Sequence, residues 1–255
     1  MDAVTTYRLF AANADRALER ISTSPQVSRD VEYYRENIGS VKTAEELVSD
    51  PRLLNFALRA YGLEDLSYAR ALIQKVLEEG TDDKEALANK LTDPRYKELV
   101  EVFNFNKFSE ATTSFDRAQQ GVIDRYYQQT LELEAGQQNT GARLAIYFER
   151  KAAEIETPLE LLADKALIQV VRTALAIPEQ TGLLDLDRQS ELISSRLDIE
   201  DLKDPEFVRD FTNRFLALWD LNNPANVSVP PLISPSGPQS LSLSLISTIQ
   251  TFRRS

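Results

Sequence analysis

The chain contains no cysteine and no histidine. Disulfides, thiol nucleophiles, Cys/His zinc sites and histidine-based acid–base mechanisms are therefore excluded. Glycine is scarce, at 8 of 255 residues, and helix formers (Ala, Leu, Glu, Arg, Gln) dominate, which points to an all-α chain. Phosphate-cradling glycine spacings, G-x-G-x-x-G and the Walker loop, do not occur. No segment approaches the roughly 20 consecutive apolar residues of a spanning helix. The opening "MDAVTTYRLFAANADRALERI" lacks the unbroken apolar stretch of a secretory signal, so none is expected. Absence of cysteine suits a reducing cytosol and an exported bacterial subunit equally well.

What is present is a substantial apolar fraction, 42%, with 27% charged residues and a net charge of −11. The first number allows a real core. The second makes the surface acidic, which repels phosphate backbones and anionic headgroups. Nucleic acid is not an expected partner, and neither membrane insertion nor a bare membrane surface is expected.

Residues 1–27 form a candidate N-terminal amphipathic helix. Val4, Tyr7, Ala11, Ala14, Leu18 and Ile21 follow alternating steps of three and four, a heptad seam. An ordinary helix packed on its own domain has the same spacing. Further helices are expected from about Arg29 to Ile38, from a capping box at Thr43 and Glu46, and from Asp50-Pro51. Others are expected over Leu66–Glu79, after Asp82, and from Asp93-Pro94 to near Phe103. After a connector, a long helix is expected from about Ser114, with Phe115, Ala118, Val122, Tyr126 and Leu133 on one face. "EAGQQNTG" (Glu134–Gly141), with two Gly and an Asn, should interrupt it.

"KLTDPRYKELV" at Lys90 and "DLKDPEFVRDF" at Asp201 share Leu-x-Asp-Pro-x-aromatic. An offset of 114 places Tyr33, Thr43, Glu46, Asp50 and Ala60 on Tyr147, Thr157, Glu160, Asp164 and Ala174. Capping box falls on capping box, and helix-starting Asp on helix-starting Asp. The expected organisation is helical unit 28–105, connector and central helix 106–141, a related unit 142–221, and a tail 222–255. Caps and apolar positions recur, whereas charges do not: Arg52 faces Ala166. That is a shared scaffold without a shared active site.

The tail is different material. From Asn222 it has five Pro, no Asp or Glu, and two Arg. Its charge is +2, which leaves −13 on residues 1–221 (−11 minus +2). An extended Pro/Ser-rich strap is expected. In "LSLSLISTIQTF", Leu241, Leu243 and Leu245 alternate like a strand, while Leu245, Ile249 and Phe252 are spaced like a helix. The acidic pairs Asp82-Asp83 and Asp185 with Asp187 do not sit in a twelve-position calcium loop. They read as caps and solvated surface. No catalytic, metal or cofactor residues are assigned, and the chain reads as non-enzymatic.

"TTYRLFAANADRALERISTSPQVSRDVEYYRENIGSVKTAEELVSDPRLLNFALRAYGLE" resembles the opening of an alphaproteobacterial family, domain of unknown function 1217. The carriers are the aromatic-pair helix, the "V-x-T-x-E-E-L-V-x-D-x-R-L-L" run, and "N-x-L-x-D-P-R-Y" at Asn89–Tyr96. Genes of that family often lie among flagellar genes, so the resemblance implies a structural or assembly role at the flagellum. It implies no catalytic residues. Expected partners are other proteins, among them flagellar components, with self-association also open and a cytoplasmic or flagellum-associated location. The candidate partner-binding residues are the two ends: Val4, Tyr7, Ala11, Ala14, Leu18 and Ile21, with Leu241, Leu245, Ile249 and Phe252. The alternative is a helical adaptor or chaperone holding partner segments in a groove between the two units.

Overall fold

The computed structural model describes residues 1–11 and 13–223. Fifteen α-helices run in order: α1 (Ala3–Ala11), α2 (Ala14–Ser22), α3 (Pro25–Asn37), α4 (Ala44–Ser49), α5 (Pro51–Ala60), α6 (Arg70–Glu79), α7 (Leu87–Lys90), α8 (Pro94–Val102), α9 (Phe105–Phe108), α10 (Gln120–Gln138), α11 (Thr140–Ala152), α12 (Pro158–Ala163), α13 (Lys165–Ala174), α14 (Leu186–Ser194) and α15 (Pro205–Asn222). Short 3₁₀ turns join several of them, and no strand occurs among the described residues. The fold is all-α, as composition requires.

Local chemistry sets the boundaries. Thr43 Oγ1 accepts from the Glu46 amide at 3.1 Å, and Glu46 reaches back to the Lys42 amide at 2.6 Å. Thr157 and Glu160 do the same at 3.4 and 2.9 Å. Asp50 caps the amides of Arg52 and Leu53, and Asp164 those of Ala166 and Leu167. Tyr33 donates its hydroxyl to Asp50 at 2.6 Å, and Tyr147 to Asp164 at 2.5 Å. Each aromatic ties the long helix of its stretch to the start of a helix seventeen residues on. Asp93 and Asp204 cap the amides of Arg95 and Glu206.

Helix ends match as well. The Leu63 amide bonds Leu58 O at 2.8 Å, and the Ile177 amide bonds Arg172 O at 2.8 Å. These are Schellman closures, which need a left-handed residue. Gly62 supplies it at φ +66°; Ala176 supplies it at φ +52° with a Cβ in the way. Packing follows the same order in both halves: α5 lies on α3 and α4, and α13 on α11 and α12. Likewise α4 contacts α6, and α12 contacts α14.

Two expectations of local structure change, and a third is placed at a single residue. The N-terminal segment is two helices, with Asn13 at the start of α2 in a non-helical conformation, φ −128° and ψ 32°. The central helix starts at Gln120, and Phe115 precedes it, 37% exposed. Thr113 holds that stretch off helical geometry by donating to Val41 O at 2.7 Å. Finally, α10 runs through Gly136 and stops at Asn139, which caps α11. The glycines there answer to packing. A Cβ on Gly136 would lie 2.8 Å from Arg143 Cδ, and one on Gly141 only 2.4 Å from Trp219 Cδ1.

One contiguous apolar core runs through both halves, from Ala3 to Trp219. Helix α10 joins them, packing on α5 on one side and α11 on the other. An aromatic stack, Tyr34–Phe56–Tyr126, fills the first half at centroid spacings of 4.3 and 4.1 Å.

Candidate functional site

The proposed N-terminal seam is occupied by the protein's own body. Tyr7 and Ile21 are buried, while Val4, Ala11 and Leu18 pack partly buried against the core; Ala14 is half-buried. Helix α1 lies on α10, α11 and α15. Asp220 of α15 accepts the Ala3 amide at 2.8 Å, so the first helix is capped from the last. Tyr7 donates to Glu149 at 2.6 Å on the wall of a cleft of about 510 Å³ between α1, α11 and α15. Burial raises the Glu149 carboxyl above its ordinary value, against the opposing hydrogen bond from Tyr7. Leu241, Leu245, Ile249 and Phe252 lie outside the described residues.

Charge is concentrated where α8, α10 and α11 meet. Glu98 pairs with Arg125 at 2.7 Å and with Lys151 at 3.0 Å. Burial pushes Glu98 up, yet Lys151 and Arg125 outweigh it and hold the carboxyl below its ordinary value. Glu132 pairs with Arg150 at 2.7 Å, its side chain 1% exposed against 23% for the arginine. The desolvation therefore falls on the carboxylate, whose affinity for a proton rises despite Arg150. Tyr147 is driven far up by burial and by Asp164. Each named charge has a partner, so the cluster sets helix register and offers no unengaged base or nucleophile.

The leucines on the second half are arranged differently. Leu183 is 90% exposed, Leu186 60%, Leu159 51% and Leu184 40%. Leu183 and Leu184 lie in the turn between α13 and α14, Leu186 is the first residue of α14, and Leu159 comes from α12, which packs on α14. The turn is anchored from below by Gln189, itself buried. Its amide nitrogen donates to Leu184 O at 2.6 Å, and its oxygen accepts from Arg172 at 2.7 Å. Asp185 caps the Arg188 amide at 2.9 Å. Leucines exposed on a fixed backbone are the reverse of a core.

The first half covers the equivalent helix more fully, although Tyr68 in the turn before it is 81% exposed. Helix α6 there is covered by α7, α8 and α9, whereas α12 is the main helix covering α14 among the described residues. Glu179, Asp185 and Asp187 lie in or beside the leucine turn, with Arg188, so the exposed leucines have mainly acidic neighbours. The sequence drew attention to Asp185 and Asp187 for calcium and not to the leucines beside them. The usable signal was "GLLDL": three leucines next to turn residues, with no helical partner spacing.

A search of curated proteins finds no match. Among solved structures, the crystal structure of a protein from Agrobacterium tumefaciens matches with a TM-score of 0.81 and 48% sequence identity, over 87% of this chain and 94% of that one. The model of the family described as protein of unknown function, DUF1217, matches residues 60–208. The match spans the caps from Asp93 onward, the ionic junction and the leucine turn described above, and the chain belongs to that family.

Proposed function

We propose that this is a non-enzymatic bacterial structural or assembly protein that works through protein–protein contacts, with the leucine turn as its docking surface. The supporting observation is Leu183 and Leu186, exposed on a backbone pinned by buried Gln189. Covering the four leucines would contribute on the order of 3–6 kcal/mol before ordering costs. The two halves are read as copies of one unit, the first more fully covered over α6 and the second more open over α14. The flagellum is the proposed setting, on the family resemblance in the aromatic-pair helix and the capping-box run.

The test is genetic complementation in the source bacterium. Deleting the gene should abolish motility, and the wild-type gene should restore it. L183E/L186E should fail to restore it while keeping the wild-type melting temperature. Full motility without the gene overturns the flagellar setting. Full rescue by the double variant overturns the leucine surface.

A further inference from the structure

Helices α3, α5 and α10 meet around a separate cleft of about 230 Å³, lined by Asp30, Tyr33, Arg52, Asn55, Arg59 and Tyr126 among others. Arg52, Asn55 and Arg59 follow i, i+3, i+7 spacing, so one face of α5 delivers all three. The Arg52 guanidinium stacks on the Tyr33 ring at 3.5 Å, and that of Arg59 lies 5.1 Å from the centre of the Tyr126 ring. Neither makes an ion pair or a side-chain hydrogen bond among the described residues. Arg59 Nε is buried without any hydrogen-bond partner. In a chain with 40 acidic side chains, two adjacent guanidiniums held by aromatic faces, with their forks unengaged, retain their capacity for bidentate bonding.

The second half lacks the arrangement. At the 114 offset, Arg52, Asn55 and Arg59 face Ala166, Gln169 and Thr173, and Asp30 faces Leu144. Caps that build the scaffold recur between the halves, and the arginine pair does not. It is therefore not needed to fold such a unit.

We propose that this cleft binds a small oxyanion, carboxylate or phosphate, free or at the end of a larger ligand, with Arg52 and Arg59 as the paired donors and Asn55 as the neutral one. Asp30, which accepts the Tyr126 hydroxyl at 3.2 Å, faces the same space and tempers its positive charge. The probes are inorganic phosphate and succinate, titrated at constant ionic strength into the ¹⁵N-labelled full chain, with chloride as control. The arginine Nε–H resonances are read by NMR. Saturable shifts at Arg52 and Arg59 are expected with at least one probe and not with chloride, and the better probe identifies the source. Arg52→Gln, on an exposed side chain, should weaken binding at least tenfold. Asp30→Asn should tighten it roughly threefold by removing a like charge at short range, a gain that an unfolding defect cannot mimic. Linear drift matching chloride, or binding unchanged in Arg52→Gln, overturns the proposal.

Discussion

Arg150→Met isolates the buried carboxylate at the centre of the fold. Glu132 has a 1% exposed side chain and one close ionic partner, Arg150 at 2.7 Å. Met keeps most of the arginine stem, so the packing loss is small and the electrostatic loss dominates. Removing one member of a buried pair costs about 3–5 kcal/mol, because the other charge stays buried without compensation. For a chain of this size that is a melting-temperature drop of roughly 10 °C.

The pH dependence gives the sharper test. Burial already places the Glu132 carboxyl above its ordinary value with Arg150 present. Loss of the arginine raises it further. A carboxyl whose folded pKa exceeds its unfolded value holds its proton in the folded state over the window between them. Stability then falls as pH rises through that window and is regained on acidification. Urea unfolding of Arg150→Met against wild type should therefore give a larger penalty near about pH 7.5 than near about pH 5. Comparing the two proteins at each pH cancels the carboxylates held low away from Arg150, Asp50 and Asp93, which lose stability in acid in both. Glu132→Leu combined with Arg150→Met should recover to within about 1–2 kcal/mol of wild type, since an apolar pair replaces a costly ionic one. A penalty below about 1 kcal/mol, or one of equal size at both pH values, would refute this account.

Gly62→Ala should destabilise by about 1–2 kcal/mol, read by chemical denaturation, because its Cβ would sit in the left-handed region and 3.1 Å from Gln129 Nε2. Ala176→Gly should do the opposite, stabilising by about 0.5–1 kcal/mol. Gly141→Ala should cost about 2–3 kcal/mol and change Trp219 fluorescence, since the new methyl overlaps the indole at 2.4 Å. Tyr147→Phe removes a hydrogen bond to a charged group and should cost about 1.5–3 kcal/mol. Tyr33→Phe should cost less, its ring being wetter.

Capping chemistry was legible because it is local. Thr43, Asp50, Asp93 and their later counterparts announce a helix start through side-chain oxygens that bond amides two or three residues on. The hydrogen bonds found are the ones those residues were expected to make. The break expected in "EAGQQNTG" falls at its asparagine, Asn139, whereas the reason for the glycines at 136 and 141 lies in Arg143 and Trp219, which only the folded chain brings near. The N-terminal seam has the periodicity of any amphipathic helix, and periodicity does not say whether the covering surface is the chain itself or another molecule. Here α10, α11 and α15 cover it. The leucine turn was invisible for the complementary reason: Leu183, Leu184 and Leu186 follow no regular spacing, so their exposure is a tertiary fact.

Comparison of the halves narrows where function can lie. A residue serving the scaffold should recur at the 114 offset, as the Tyr33–Asp50 and Tyr147–Asp164 bonds do. A residue serving a partner or ligand has no reason to recur. The arginine pair fails to recur, and the leucines recur only in part and with less cover: Leu183 falls on Ala69, and Leu186 falls on Leu72, which packs partly buried on the core. Arg52 and Arg59 forgo ion pairing in the first half, and the second half leaves Leu183 and Leu186 in water. Solvent-exposed leucine adds nothing to folding, and burying a guanidinium nitrogen without a hydrogen bond subtracts from it. Replacing Leu183 and Leu186 by Ser should therefore leave the melting temperature unchanged or raised, and should increase solubility. A clear fall in melting temperature under that double substitution would mean that the turn is packed by residues of this same chain, and would remove it as a free docking surface.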